Sequence, residues 1–268
     1  MSRPLILVTN DDGVLAPGIA VVADAVRDLG DVLVCAPDTE RSGSSHAITF
    51  HTHLRVHQLR EGWWHVSGTP VDCVYLALLH LCPRPPALVI SGVNVGFNLG
   101  TDVFYSGTVG AAAEGYMRGI MALAMSTDRS IDPAVCAPTV RALAASALEA
   151  PRPMLLNVNI PAPPPEDSAT KEQGVRAIYA PPIELTRLGK RVYKDAVEPR
   201  TDPMGRPYYW IGGPPESGDD REGHDTWAVK NGRVSVTPLE MDITAPDREA
   251  CRDLLAGVRI DPTRRAKP

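Results

Sequence analysis

The sequence predicts an α/β fold: a doubly wound, mostly parallel, Rossmann-like sheet with a C-terminal β-hairpin arm and a terminal helix. Two observations carry this prediction. Between residues 4 and 160, short aliphatic runs alternate with segments whose apolar residues recur at helical spacing. Aromatic residues make up only 5% of the 268 residues, so the core must consist mainly of aliphatic side chains, as is typical of buried parallel strands.

The alternation begins at the N-terminus. Residues 5–9 open with aliphatic side chains and predict the first strand. A helix follows from Pro17, because proline suits the first helical position, and Gly30 ends this helix. Residues 32–36 are the second predicted strand. Further runs that could be strands are residues 49–56 and 64–66.

The same alternation continues to residue 160. Residues 70–81 place Val74, Leu78 and Leu81 on one face of a predicted helix, and residues 87–91 predict another buried strand. The remaining predicted elements are a helix at 109–118, a strand at 120–125, a helix at 133–150 and the last strand of this layer at 155–160.

The character of the chain changes near residue 161, which predicts a core of residues 1–160 and an appended part of residues 161–268. The appended part begins with a proline-rich and then polar linker, to about residue 174. Its other predicted elements are a hairpin of residues 191–199 and 206–212, a strand at 234–238 and a helix at 245–255. The hairpin is too small for a core of its own, so it must pack on the main domain or on a partner subunit.

The bulk composition excludes several classes of function. The formal net charge is −5, so wholesale binding to a nucleic-acid polymer or to an anionic membrane is not expected. No apolar stretch reaches the length of a membrane span, and the N-terminus shows no signal-peptide pattern. The five cysteines are odd in number and dispersed, which indicates reduced, buried thiols. A cytoplasmic location is therefore predicted.

Two adjacent carboxylates, Asp11 and Asp12, follow the first predicted strand. Two anions held about 4 Å apart repel each other by several kcal/mol at a protein-like dielectric, and a divalent cation would remove that cost. The alternative is an ordinary surface turn, because Asn10, both aspartates and Gly13 all favour turns. The other polar loops of the chain favour the cation.

Three polar loops leave the carboxyl ends of predicted strands, at residues 10–17, 37–46 and 91–108. In doubly wound sheets, ligands bind at that edge. The carboxylate, amide and hydroxyl oxygens of these loops are hard ligands, which suit magnesium or manganese rather than zinc. A helix that starts at Ser106 would offer free backbone N–H groups to an anion. Together these features indicate metal-assisted phosphoryl chemistry.

Single residues of these loops also have ordinary structural interpretations. Asn94 and Asn98 could be left-handed turn residues. Ser106 could be only an N-cap, Ser42 the start of a turn, and His46 a packing or capping residue. The sequence has no P-loop and no Gly-x-Ser-x-Gly elbow, and it lacks Gly-x-Gly-x-x-Gly after the first strand. These absences argue against a P-loop kinase and weaken the case for a dinucleotide oxidoreductase.

A series of ordered motifs resembles one known family. The motifs are ILVTNDDG at 6–13 with APGI at 16–19, AP at 36–37 with RSG at 41–43, GTPVDCV at 68–74, SGVNVGFNLGTDV at 91–103 with YSGTV at 105–109, YYWIGG at 208–213, and SVTPL at 235–239. In this order, and nearly end to end, they are similar to the SurE (survival protein E) family of nucleotidases. One departure is Phe97, where members usually carry proline; it would loosen the loop slightly and offer an apolar contact.

The resemblance implies a metal-dependent phosphatase that acts on nucleoside 5′-monophosphates, with some members also cleaving 3′-monophosphates or short polyphosphate. It implies one Mg or Mn ion per subunit. Carried over by position, the implied metal ligands are Asp11, Asp12, Ser42 and Asn94, and the implied phosphate-binding residues are Asn98, Ser106, Gly107 and Thr108. Further site candidates are Asn10, Gly43 and His46. The family also forms homodimers or homotetramers by exchanging C-terminal elements, in agreement with a hairpin that has no core of its own.

Asp11 and Asp12 are the predicted catalytic residues. Asp11 could attack phosphorus directly and form a phospho-aspartyl intermediate. Alternatively, a water molecule on the cation attacks while Asp11 only binds the cation or accepts the proton, which we prefer because both carboxylates would be committed to the cation. Two rival functions remain: a nucleotide-sugar glycosyltransferase, which also grips a metal and a diphosphate with acidic residues, and a nucleotide sensor in which the cation serves only affinity.

Overall fold

A computed structural model describes residues 3–164, 179–193, 196–212, 215–218, 221–245 and 247–258 of the chain. Most of the predicted linker after residue 164 lies outside the described residues. The strands, numbered in chain order, are β1 Leu5–Thr9, β2 Asp31–Pro37, β3 Val56–Arg60, β4 Trp63–Val66, β5 Leu88–Val95, β6 Met121–Thr127, β7 Leu155–Ile160, β8 Ile183–Leu185, β9 Arg191–Tyr193, β10 Ala196–Thr201, β11 Pro207–Gly212, β12 Pro215–Gly218 and β13 Val234–Leu239.

Nine of these strands form one mixed, mostly parallel sheet in the order β3-β4-β2-β1-β5-β6-β7-β13-β8. The neighbours from β4 to β7 all run parallel, whereas β3 and β13 are antiparallel to β4 and β7. Separately, β10 and β11 form an antiparallel hairpin and β9 pairs with β12. The predicted fold class and the predicted hairpin are therefore confirmed, but residues 191–193, predicted as part of the hairpin, pair with β12 instead.

Helices cover both faces of the sheet. They are α1 Pro17–Val26, α2 Pro70–Leu76, α3 Gly107–Met117, α4 Ala137–Leu148, α5 Asp225–Lys230 and α6 Glu249–Ala256. The predicted helix of residues 70–81 continues after α2 as a π-helix, Ala77–Leu81. Short 3₁₀ helices cover Gly100–Phe104 and Pro133–Cys136. None of the helices in the described part of the chain combines the length and the apolar character needed to cross a membrane.

The alternation of side chains along β1 shows how the core is divided. Ile6 and Val8 are buried in the cluster that contains the apolar residues of α1 and α4. Leu5 and Leu7 point to the opposite face and pack with α2 and α3. Because β1 is covered on both faces, its sequence is an unbroken apolar run and not an alternating one.

Two element predictions are wrong. Residues 49–55 are irregular, and the strand begins only at Val56. The reason lies at Thr49, whose backbone N–H and hydroxyl both donate to the Asp72 carboxylate, at 2.9 and 2.7 Å, so that N–H is not available to a sheet. β7 is also not the last strand, because β13 pairs with its outer edge and β8 follows. The division of the chain at residue 160 stays a prediction.

Two of the five cysteines are less buried than predicted. All five are free thiols, as predicted, and Cys35, Cys73 and Cys136 are buried. Cys82 is half-buried and Cys251, on α6, is exposed. Burial raises the pKa of the Cys136 thiol to about 11, so this cysteine is protonated and unreactive at neutral pH.

The parallel strands bring the predicted loops to one edge of the sheet. The loops after β1, β2 and β5 leave neighbouring strands, and backbone hydrogen bonds join them. The Arg41 N–H donates to the Asp11 carbonyl at 2.7 Å, and the Val14 N–H donates to the Pro37 carbonyl at 2.9 Å. The Ser45 N–H donates to the Tyr105 carbonyl at 3.1 Å. The carboxyl edge of the sheet is therefore one connected structure.

Candidate active site

A cleft of about 900 Å³ lies at this edge. Its lining combines residues of the three predicted loops with residues after β6 and from β9. The lining residues are Asp11, Asp12, Glu40, Ser42, Gly43, Asn94, Val95, Gly96, Phe97, Asn98, Asp102, Tyr105, Ser106, Asp128, Arg129 and Arg191.

Asp11 is the most deeply buried acid of the cleft, with 3% of its surface exposed. The Thr108 hydroxyl donates to Asp11 Oδ1 at 2.6 Å. Burial raises the pKa of Asp11 to about 6; the hydrogen bond from Thr108 opposes this rise, and the charge of Asp12 adds to it. Asp11 therefore ionises at neutral pH, but its charge lacks the stabilisation that water would supply.

Asp12 lies beside it with a more open surface. Burial also raises the pKa of Asp12, and the charge of Glu40 acts in the same direction. The Val95 N–H and the charge of Arg129 oppose the rise. Three acidic groups thus share one end of the cleft, partly balanced by the Arg129 guanidinium.

The start of α3 approaches Asp11 very closely. A methyl group on Gly107 would lie only 2.9 Å from the Asp11 Cβ and 2.6 Å from the Ser44 hydroxyl, so only glycine allows this contact. Ser106 has extended backbone angles, and its hydroxyl accepts the Val109 N–H at 3.1 Å, as an N-cap does. The positive end of an eleven-residue helix therefore faces the acidic end of the cleft.

The loop after β2 carries Ser42 on the cleft wall. The Ser42 hydroxyl donates to Glu40 at 2.7 Å, which leaves its oxygen lone pairs able to accept or to coordinate. Further along, His46 contacts Glu114 of α3 at 3.2 Å and does not line the cleft. His46 is thus placed to hold this loop against α3.

The loop after β5 is held by its own amides. The Asn94 side-chain NH₂ donates to the Gly96 carbonyl at 2.6 Å, which leaves its amide oxygen free for another partner. The Asn98 side-chain NH₂ donates to the Ser126 hydroxyl at 2.8 Å. The Asn98 N–H donates to Asn159 of β7 at 2.9 Å, so the backbone is fixed where Asn98 enters the cleft.

The structure brings together most, but not all, of the candidate residues. Those that line the cleft are Asp11, Asp12, Ser42, Gly43, Asn94, Asn98 and Ser106. Asn10, His46, Gly107 and Thr108 are not part of this lining. Asn10 closes the first loop by donating to the Gly13 carbonyl at 2.9 Å. Thr108 is fully buried, and its hydroxyl contacts Asp11.

Several lining residues were missed by the sequence prediction. Asp128 and Arg129 follow β6 directly, and the rule that ligands bind after parallel strands could have identified them. Arg191 comes from the C-terminal half, and its guanidinium lies 2.7 Å from Asp102. No local sequence pattern marks Arg191, because the pair joins residues 89 positions apart.

The donor set suits a hard divalent cation. The four implied ligands Asp11, Asp12, Ser42 and Asn94 share the cleft lining and offer only oxygen atoms once the Asn94 NH₂ is engaged. The raised pKa of both carboxyls indicates uncompensated negative charge, which a cation would neutralise. Among the described residues, no group of three or more His, Cys, Asp or Glu side chains is placed to hold a metal ion.

A doubly wound α/β sheet with a cleft at the carboxyl edge of its strands, facing a helix N-terminus, is the architecture of α/β proteins whose ligand site lies at this edge. Residues 6–195 match the family model of survival protein SurE. The chain belongs to the SurE family.

Individual relatives agree with this assignment. A protein of Sorangium cellulosum named 5′-nucleotidase SurE is 44% identical over 263 residues, which cover 95% of this chain and 96% of the relative. A Vibrio cholerae protein of the same name is 45% identical and covers 90% of this chain and 92% of the relative. The crystal structure of a SurE protein from Aquifex aeolicus superimposes with a TM-score of 0.76 at 38% identity, over 94% of this chain and 100% of that chain.

Proposed function

We propose that this protein is a 5′-nucleotidase, which hydrolyses nucleoside 5′-monophosphates to nucleoside and phosphate. The observation that supports this most strongly is the pair of carboxylates, Asp11 and Asp12, lining the cleft beside the Ser106 start of α3. The names of the relatives supply the substrate class. A wider substrate range, including 3′-monophosphates and short polyphosphate, is part of the proposal to be tested.

We infer that Asp11, Asp12, Ser42 and Asn94 hold one Mg or Mn ion. When bound, this ion would neutralise charge on the phosphoryl oxygens and favour ionisation of a water molecule. The Thr108 hydroxyl keeps one oxygen of Asp11 in a fixed position, so the carboxylate is oriented before substrate enters. The Asn94 NH₂ bond to Gly96 does the same for the amide, since it fixes the side-chain group that carries the amide oxygen.

The phosphate would bind between the acidic end of the cleft and the start of α3. Ser106 and Asn98 line the cleft there and supply polar contacts. Gly107 and Thr108 act from behind the lining: Gly107 permits the close approach, and Thr108 restrains Asp11. Fixed donors and a helix terminus that point to the phosphoryl oxygens stabilise the charge distribution of the transition state.

In the reaction, the bond between phosphorus and the 5′ oxygen breaks and a bond from phosphorus to the oxygen of water forms. The proton that water loses is balanced by the proton that the departing 5′ oxygen gains. We infer that water, and not Asp11, is the nucleophile, because Asp11 is already engaged by Thr108 and paired with Asp12 at the cation site. Rapid acid quenching during turnover should therefore trap no phosphorylated protein; a phospho-aspartyl adduct would contradict this inference.

The test of the function uses protein freed of metal by chelation. Incubation with AMP and Mn²⁺ or Mg²⁺ should release adenosine and free phosphate in equal amounts, and Ca²⁺ should support less release because it prefers a larger coordination shell. A panel with 3′-AMP and short polyphosphate defines the substrate range. Transfer of sugar from a nucleotide sugar without free phosphate would favour a glycosyltransferase, and AMP binding without turnover would favour a sensor.

We also propose that the hairpin of β10 and β11 joins subunits into a homodimer or homotetramer. In the single chain, Trp210 and Ile211 of β11 expose 60% and 89% of their surface. Tyr209 of β11 and Val197 of β10 expose 62% each. A two-stranded hairpin with exposed apolar groups of this size is marginal in water without a covering surface.

A further inference from the structure

We propose that Phe97 determines the preference for nucleotides over other phosphate monoesters, because its ring forms a platform on which the nucleobase stacks. This inference rests on the proposed function and names the part of the substrate that the ring would recognise. In this role, Phe97 would contact the base and not the phosphorus or the oxygen atoms that react.

The backbone on both sides of Phe97 is fixed. The Gly96 N–H donates to the Thr127 carbonyl of β6 at 2.9 Å, and the Asn98 N–H donates to the Asn159 side chain at 2.9 Å. The Asn98 carbonyl also accepts from Asn157 at 2.8 Å. The backbone of Phe97 is thus anchored to β6 and β7, so the loop itself loses little conformational entropy when a ligand contacts the ring.

The position of the ring agrees with a role in binding the substrate. Phe97 is half-buried and lines the cleft, between Asn94 and Asn98, which also line it. The chain has three phenylalanines. The other two, Phe50 and Phe104, expose 76% and 63% of their surface and lie outside the cleft lining. Phe97 is therefore the phenylalanine that a ligand in this cleft would meet.

The chemistry of the cleft separates two parts of a nucleotide. The carboxylates and the start of α3 suit the cation and the phosphate. Phe97, its neighbour Val95 and Tyr105 supply apolar surface in the same cleft. Tyr105 is 70% exposed, whereas Phe97 is half-buried, so Phe97 is the aromatic ring that is set further into the protein. A sugar phosphate has no flat apolar face to use this surface, whereas every nucleobase has one. Stacking is tolerant of base identity, so purine and pyrimidine nucleotides should both be substrates.

The Arg129 guanidinium is the charged group beside this loop. A methyl group on Gly96 would lie 3.0 Å from Arg129 Nε, so the side chain covers Gly96, next to Phe97. Its planar, cationic group offsets the charge of Asp12 and can also donate hydrogen bonds to base acceptors or stack on a base.

The experiment compares AMP with ribose 5-phosphate, which carries the same phosphate ester but no base. For each variant, the ratio of kcat/KM for AMP to that for ribose 5-phosphate is measured in Mn²⁺. In Phe97→Ala this ratio should fall by about 5- to 100-fold, the range of one lost base–aromatic contact. Phe97→Trp should retain the ratio, and Phe97→Leu, which keeps apolar volume without a π face, should lower it.

Phe104→Ala is the matched control, because it removes the same side chain from a neighbouring, exposed position outside the cleft lining; its ratio should match the wild type. An unchanged ratio in both Phe97→Ala and Phe97→Leu would overturn the inference. If Phe97→Ala fails to fold, Phe97→Leu alone decides. Failure of the wild type to release phosphate from AMP would instead reject the proposed function.

Discussion

The Thr108 hydroxyl donates a hydrogen bond of 2.6 Å to Asp11 Oδ1, across 97 positions of the sequence. Both residues are buried, and the bond joins the start of α3 to the end of β1. It lowers the pKa of Asp11 against the larger effect of burial. A residue behind the cleft lining therefore restrains the central carboxylate and favours its ionised form, against the larger effect of burial.

Replacing Thr108 with Val should weaken the site while the fold persists. The change keeps the shape of the side chain but removes the donor, so the pKa of Asp11 rises further and its orientation is lost. We expect a loss of about 10- to 100-fold in Mn²⁺ affinity or in turnover, as for other residues that orient a metal ligand. Isothermal titration and AMP hydrolysis measure this. Thr108→Ser keeps the hydroxyl and should retain most of both; equal losses in the two variants would argue against the hydrogen bond.

Asp11→Asn should lower turnover of AMP by at least about 10²-fold, because it removes a charged oxygen from the cation site. The amide is similar in shape and can still accept from Thr108, so circular dichroism and thermal unfolding should show a folded protein. Steady-state phosphate release at saturating Mn²⁺ is the measurement. Full activity in this variant would place Asp11 outside the site.

The stability of the metal-free protein should depend on pH through Asp11. Burial raises its pKa to about 6, so the folded chain holds a proton that the unfolded chain has already released at lower pH. The stabilisation from this proton is complete below the unfolded pKa and is lost as pH rises through about 6. At about pH 7.5, metal-free Asp11→Asn should therefore be more stable than the wild type, by up to about 3 kcal/mol.

This difference should shrink as the pH falls below the unfolded pKa of 3.8, towards about pH 3, where Asp11 is mostly protonated in both states. Urea unfolding of the two chains in chelator, over this range, measures it. Added Mn²⁺ should stabilise the wild type more at neutral pH than at about pH 5, because protons compete for the same carboxylates. If the wild type instead became more stable relative to Asp11→Asn between pH 5 and 7, the raised pKa of Asp11 would be contradicted.

Asp225 should be a major source of stability for the C-terminal half. Its buried carboxylate accepts from the Gly100 N–H at 2.7 Å and from the Gly189 N–H at 2.8 Å. Asp225→Ala leaves both donors buried and unpaired, which should cost about 3 kcal/mol in the free energy of unfolding. Asp225→Asn keeps one acceptor and should lose less. Urea unfolding of both variants tests this order; Asp225→Ala within about 0.5 kcal/mol of wild type would refute it.

Ile211→Asp should reduce the oligomeric state. In the single chain this side chain is 89% exposed, so a charge there should leave the fold of a subunit intact but oppose burial between subunits. Met204→Asp is the matched control, because Met204 is exposed at the turn of the same hairpin. Light scattering should give a smaller mass for Ile211→Asp than for the control. Equal masses would argue against an interface through β11.

Local patterns in the sequence predicted much of the fold. Leu5 to Val8 are aliphatic because β1 is covered on both faces, and this requirement is visible in the run itself. The hairpin of β10 and β11 was likewise marked by its turn residues. The segment at 49–56 was predicted wrongly because the Thr49 N–H donates to Asp72, 23 positions further along the chain. The alternation of side chains along a strand, which has a period of two residues, cannot reveal such a contact.

The sequence by itself therefore determined the fold class and the loops from which the candidate site is built, because strand and helix periods and turn chemistry act over a few neighbouring residues. Only the tertiary structure decided that Thr108 contacts Asp11, that Arg191 reaches the cleft beside Asp102, and that β13 extends the sheet beyond β7. Those contacts join residues about 80 to 100 positions apart, and packing of the whole chain, not local preference, selects which distant groups meet.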